Sequence, residues 1–288
     1  MDREPYCLIG DELVPEGRAR ISAFDRGFLY GEGLFETLRL YGGRPFGLRA
    51  HWARLEASAA FLGLPLPPED PAEAVARVAR ANRLEDAAVR LTLTRGELPR
   101  GPRPGPGGTA RLVVQVRPLP ADLTERQRRG VAGCRLPWPL RARGNPLHRH
   151  KTLGYLTSIV ALGAAPPGAE PILENAHGQV AEGATSNVFW VRRSRLCTPH
   201  PEAGCLPGIT RALVLDLARF SGMDVEEGLF DWTGLVQAEE AFLTNSVAEV
   251  VPLIAVDGRP VGTGTPGAVT RSLQRGYRQR VREGGEPA

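Results

Sequence analysis

The chain has 288 residues, 42% hydrophobic and 24% charged, and a net charge of +4. These values describe a soluble globular protein with room for two domains. No apolar run approaches the roughly 20 residues of a membrane span. The charged start Met1-Asp2-Arg3-Glu4 leads into no signal-like core, so the cytoplasm is the expected location and no membrane is expected as a partner. Cys7, Cys134, Cys197 and Cys205 show no CxxC spacing and suggest no disulfide framework. The basic excess is scattered. Its densest cluster, Arg271, Arg275, Arg278 and Arg282, falls at helical spacing opposite Leu273, Tyr277 and Val281, which reads as a solvated helix face and argues against nucleic acid as a partner.

In chain order, GLFETLRLY (33–41) partly alternates and is rich in β-formers, predicting a strand, and Gly42-Gly43 supplies a turn. Leu48, Trp52, Leu55, Ala59 and Leu62 recur at helical spacing, predicting an amphipathic helix over 48–62 closed by Gly63. Asp70-Pro71 reads as an N-cap followed by proline at the first helical position, opening a helix to about Asn82. Strands are expected at 87–94 and 110–117, separated by a Pro/Gly-rich loop over 101–108. Helices followed by strands, without strict βαβ alternation, predict an α+β N-terminal domain over 1–120, with a linker at 121–130. The remaining region, 131–288, mixes expected strands (131–136, 178–182, 186–191, 241–245) with expected helices at 151–163, 208–221 and 265–283.

Of the 36 lysines and arginines, only Lys151 is a lysine. An arginine can replace lysine as a surface charge, but a guanidinium stays protonated and cannot condense with a carbonyl. Drift would also leave some last lysine, so the neighbouring segments decide the matter. DRGFLYGEGLFETLRLY (25–41), HWARL (51–55), HKTLGYL (150–156), QVAEGATSNVFW (179–190), LPGITR (206–211) and FLTNSVAEVVP (242–252) occur in this order. Together they resemble the fold-type IV pyridoxal-phosphate enzymes, the class-IV aminotransferase family. That family includes branched-chain aminotransferases, D-amino-acid aminotransferases and 4-amino-4-deoxychorismate lyases.

The resemblance implies an α+β, two-domain architecture: a smaller N-terminal α/β sandwich-like domain and a larger C-terminal domain with a β-barrel-like core. It also implies pyridoxal 5′-phosphate as cofactor, with Lys151 holding the cofactor aldehyde as a Schiff base and then moving the proton. Glu182 matches the carboxylate that pairs with the pyridine nitrogen; without the motif it would read as a surface glutamate at a strand end. Gly208, Ile209 and Thr210 open a predicted helix whose first N–H groups make an anion seat. Arg54 and Ser246 match further phosphate contacts; alone they would read as an exposed helix charge and a turn residue. Tyr155 matches a tyrosine that hydrogen-bonds the cofactor's phenolic oxygen, although the branched-chain pattern has one more residue between lysine and tyrosine. A tyrosine packed in the core is the alternative.

For the substrate, TRGELPRG (94–101) resembles an arginine loop that grips a carboxylate, which makes Arg95 and Arg100 candidates, Arg100 preferred. A solvated basic loop is the alternative. Tyr30 is a candidate lining residue on the family pattern. Cys197, His200 and Cys205 do not fit a four-ligand zinc spacing and read as structural, so no metal is expected. His150 remains unassigned.

The family's texture favours a 4-amino-4-deoxychorismate lyase, which releases pyruvate and leaves 4-aminobenzoate for folate synthesis. The alternative is an aminotransferase for branched-chain or D-amino acids with a keto-acid acceptor. A non-catalytic scaffold that kept the fold is a third reading, opposed by the intact set of Lys151, Glu182, Arg54 and Thr210. A small-molecule substrate and a homodimer follow from the resemblance.

Overall fold

The computed structural model describes residues 4–98, 101–103 and 108–284. It divides into two compact units: Met1–Leu119 with His150–Gly154, and Pro120–Arg149 with Tyr155–Ala288.

The first unit carries β1 (Tyr6–Ile9), β2 (Glu12–Pro15), α1 (Arg26–Tyr30), β3 (Gly33–Tyr41), β4 (Arg44–Pro45), α2 (Leu48–Leu62), α3 (Pro71–Asn82), β5 (Ala87–Thr94) and β6 (Arg111–Pro118). The strands form one antiparallel sheet in the order β2-β1-β6-β5-β3-β4. The period-two pattern of β5 sends Ala87, Val89, Leu91 and Leu93 into the core. Leu8, Leu38, Leu112 and Val114 join Ala87, Val89 and Leu91 against Ala74, Val75, Val78 and Ala79 of α3, while Leu93 packs with Leu34, Leu55 and Ala59. The predicted start of α3 is present: the Asp70 carboxylate accepts from Ala72 N–H at 2.9 Å, with Pro71 at the first position.

The second unit carries α4 (Leu123–Arg129), β7 (Val131–Arg135), α5 (Leu156–Ala164), β8 (Ala169–Glu174), β9 (Val180–Gly183), β10 (Asn187–Arg192), β11 (Arg195–Pro199), α6 (Ile209–Phe220), β12 (Val225–Gly228), α7 (Trp232–Val236), β13 (Glu240–Asn245), β14 (Glu249–Val256), β15 (Arg259–Pro260) and α8 (Ala268–Arg282). The strands run β12-β11-β10-β13-β14-β7-β8-β9, with β15 paired to β14. Because β9 packs back against β10 and β11, the sheet curls into a half-barrel. This is the α+β, barrel-like architecture expected from the resemblance.

Both faces of the curled sheet are buried, which explains the unbroken apolar run of β10. Val188 and Trp190 face one core with Leu235, Leu243 and Leu253; Phe189 and Val191 face the other with α6 and α8. Phe189 stacks on Phe242 with ring centroids 5.0 Å apart.

The predicted basic face of α8 has a packing role as well as a solvated one. Arg271 donates to the carbonyls of Gln127 and Arg128 in the last turn of α4, at 3.3 and 2.5 Å, and Arg278 donates to the Gln127 side chain at 3.1 Å. Among the described residues no helix is long and apolar enough to cross a membrane.

One predicted element changes character. The helix expected over 151–163 begins only at Leu156, and residues 150–154 form an irregular segment bridged to β3 at Thr152–Leu34. The physical reason is backbone pairing: Phe35 N–H donates to Lys151 C=O at 2.9 Å, and Leu153 N–H donates to Gly33 C=O at 3.0 Å. Gly33 permits this docking, because a Cβ there would collide with the Leu93 carbonyl and the Leu153 side chain.

Candidate active site

In the first unit, the 150–154 segment fixes the Lys151 backbone on β3. Its Nζ lies 4.3 Å from the Phe35 ring centroid, and the Arg90 guanidinium carbon lies 3.8 Å from the same centroid. His150, left unassigned by the sequence, anchors the segment. It shares a 2.9 Å hydrogen bond with the Ser58 hydroxyl, and its ring stacks on Phe61 at 4.2 Å, both on α2.

The same helix presents His51 and Arg54, three residues apart and therefore on one face. Both reach Glu36, on β3. Arg54 Nε and Nη2 donate to its two carboxylate oxygens at 2.8 and 2.7 Å, and His51 Nδ1 lies 2.7 Å from Oε2. Glu36 is 1% exposed, so burial pushes its carboxyl upward. The Arg54 charge and the hydrogen bonds from His51 and Arg54 outweigh this and hold it down at about 2. Glu36 thus fixes the arginine matched to a phosphate contact. Sequence reasoning missed it, although a charged residue among the buried positions of GLFETLRLY was the available signal.

Arg95, expected at a substrate carboxylate, is placed otherwise. It is 3% exposed; Nε donates to Glu32 at 2.5 Å, and Nη1 and Nη2 donate to the carbonyls of Gly63 and Leu62 at 2.8 and 3.1 Å. Its guanidinium therefore closes the carbonyl end of α2. Glu32 also pairs with the buried Arg26, which donates to the carbonyls of Gly101 and Pro102 at 2.8 and 3.2 Å. Burial raises the Glu32 carboxyl, but hydrogen bonds and charge from Arg26 and Arg95 bring it below its usual range. Tyr30, the candidate lining residue, accepts from Gly101 N–H at 3.1 Å and is about half exposed. Arg100 lies outside the described residues.

In the second unit, Glu182 is buried on β9. Its Oε1 pairs with Arg141 at 2.6 Å, and its Oε2 accepts from Leu206 N–H at 3.0 Å. Arg141 lies in a stretch without periodicity, and no sequence signal marked it. Gly208 caps α6 without a side chain, and the buried Thr210 hydroxyl lies 3.4 Å from that of Ser246. Two hydroxyls beside a helix start suit a phosphate dianion, and a fixed, buried carboxylate suits a protonated ring nitrogen. The chemistry of these second-unit donors fits pyridoxal phosphate. Tyr155 stands at the N-cap of α5, half-buried.

The cysteines read as structural are buried thiols. Burial pushes Cys197 up to about 11 and Cys205 up to about 12, which keeps both protonated. His200 Nδ1 accepts from Glu202 N–H at 3.2 Å.

The chain belongs to the amino-transferase class IV family, whose profile matches residues 33–256. It is a pyridoxal-phosphate-dependent enzyme of the lyase or aminotransferase type. A Methanocaldococcus jannaschii protein provisionally named a branched-chain-amino-acid aminotransferase is 35% identical over 276 residues, covering 94% of each chain. The aminodeoxychorismate lyase of Bacillus subtilis is 31% identical over 281 residues, covering 95% of this chain and 94% of that one. Among solved structures, the branched-chain aminotransferase of the thermophilic archaeon Thermoproteus uzoniensis, crystallised with norvaline, superposes with a TM-score of 0.87 at 31% identity, covering 98% of this chain and 96% of that one.

Proposed function

We propose that the chain is a 4-amino-4-deoxychorismate lyase, releasing pyruvate and forming 4-aminobenzoate. The observation that carries this reading is the likeness to the aminodeoxychorismate lyase of Bacillus subtilis along almost the whole length of both chains. Bound pyridoxal phosphate supplies an aldehyde that condenses with the substrate amine and a ring that accepts the electrons freed at the adjoining carbon.

The chain's own residues do the rest. Lys151 Nζ takes the proton from the ring carbon bearing the substrate amine. Glu182 holds a proton at the pyridine nitrogen, with Arg141 and Leu206 N–H fixing the carboxylate. Thr210 and Ser246 bind phosphate from their hydroxyls, Gly208 and Ile209 contribute the start of α6, and Arg54, oriented by Glu36, adds charge. Loss of the enolpyruvyl group aromatises the ring, so positioning is the protein's main contribution. Tyr155 serves the cofactor's phenolic oxygen, and Tyr30 and Arg100 serve the substrate. The reading includes a cytoplasmic homodimer.

A second reading, a branched-chain aminotransferase, is favoured by two observations. The Methanocaldococcus jannaschii relative shares 35% identity, and Arg95 is occupied at the end of α2, which leaves fewer arginines for a substrate with two carboxylates. Supplying aminodeoxychorismate without any keto acid, and separately amino-acid/keto-acid pairs, separates the readings. The lyase reading expects pyruvate and 4-aminobenzoate in the first assay; exchange in the second assay alone would replace it with the aminotransferase.

A further inference from the structure

The carboxylate for the ring nitrogen and the anion seat of α6 are joined by one peptide unit on each side of Leu206. Leu206 N–H donates to Glu182 Oε2 at 3.0 Å, and Leu206 C=O accepts from Asn187 Nδ2 at 2.8 Å. Two residues on, Gly208 begins α6, and a Cβ there would fall on Asn187 Oδ1, so the Asn187 amide packs directly on that backbone. Asn187 is 6% exposed and starts β10, where it pairs with Thr244 of β13 two residues before Ser246. A buried amide that holds a carbonyl and abuts a glycine leaves the turn 206–208 little freedom to shift.

We propose that Asn187 is a positioning residue that couples the two ends of the cofactor site, setting the Glu182 carboxylate and the start of α6 at a fixed separation through the main chain of Leu206. Asn187 itself touches neither the ring nitrogen nor the phosphate in this assignment. Its removal therefore weakens both ends at once, although each is bound by other residues. The inference rests on the reading of Glu182 and Thr210 as cofactor ligands.

The test uses the full chain stripped of cofactor and titrated with pyridoxal 5′-phosphate and, separately, with 1-deazapyridoxal 5′-phosphate, which carries carbon in place of the ring nitrogen. The affinity ratio reports the Glu182 end alone. The unsubstituted chain should prefer the natural cofactor by about tenfold or more, and Glu182→Gln should erase most of that preference. Asn187→Ala should lower affinity about tenfold and cut the preference to about a third or less. Thr210→Val should lower affinity and leave the preference intact.

Should Asn187→Ala fail to fold, the isosteric Asn187→Asp, which keeps the shape and lacks the donor, should show the same double loss. An Asn187 variant that binds more weakly with its preference undiminished would overturn the coupling while leaving the cofactor reading in place. An unsubstituted chain with no preference would overturn the assignment of Glu182, and the coupling with it.

Discussion

The two units fix their functional charges by opposite means. In the first, carboxylates hold the arginines: the buried Glu36 grips Arg54 and His51, and the partly exposed Glu32 bridges Arg26 and Arg95. In the second, the candidate charge is an anion: Glu182 pairs with Arg141 and accepts from Leu206 N–H, two residues before the Gly208 cap of α6. The first unit therefore stores its order in ion pairs, which need every member present. The second stores more of it in backbone geometry, so loss of Arg141 leaves Leu206 N–H on the Glu182 carboxylate.

Substitutions can break or sharpen that contrast. The largest effect belongs to Lys151→Ala, which should reduce turnover by about 10³-fold or more with the fold retained, since no other lysine can take its place. Retained turnover by steady-state assay would show the amine to be misassigned. Next, Glu36→Gln leaves Arg54 and His51 facing a neutral partner in a buried place and should destabilise by about 3–5 kcal/mol in denaturant unfolding. The corresponding change in the second unit, Arg141→Met, should cost less, about 1–3 kcal/mol, because Leu206 N–H still holds Glu182. Equal costs would remove the distinction between the units.

The smallest effect is one of pH. Burial, and then the Arg141 charge, depress His148 from 6.5 to about 4, and its Nε2 accepts from Ala142 N–H at 3.1 Å. A depressed histidine stabilises above its unfolded value, and that contribution is lost as pH falls from 6.5 towards 4. Glu36, held at about 2 against an ordinary 4.5, gives up its contribution only as pH falls from 4.5 towards 2. Amide-exchange protection at Ala142 should therefore decline on acidification before global unfolding begins. Protection that persists to the unfolding pH would contradict this order.

Much of the fold could be read from the sequence because the signals were local. Leu48–Leu62 ends where its periodicity and Gly63 put it, and Pro71–Asn82 starts at its Asp-Pro cap. The strands β8, β11 and β14 had no clean alternation, since a sheet buried on both faces writes continuous apolar runs. The helix expected from Lys151 onward was overridden by pairing with β3, a partner more than a hundred residues away in sequence. At the proposed site, the candidates with a chemical signature were nameable from the sequence: the solitary lysine, the glutamate of AEG, and the Gly-Ile-Thr start of α6. Their supporting partners were not. Glu36, Arg141 and Asn187 matter through what they hold, and only the folded chain brings that into contact.

The most direct measurement is borohydride reduction of the purified, cofactor-loaded protein, followed by peptide mapping. A yellow protein whose colour is lost on reduction, with phosphopyridoxyl mass on the peptide containing Lys151, is the predicted result. A colourless protein that takes up no pyridoxal phosphate, or a label on any other residue, would contradict it.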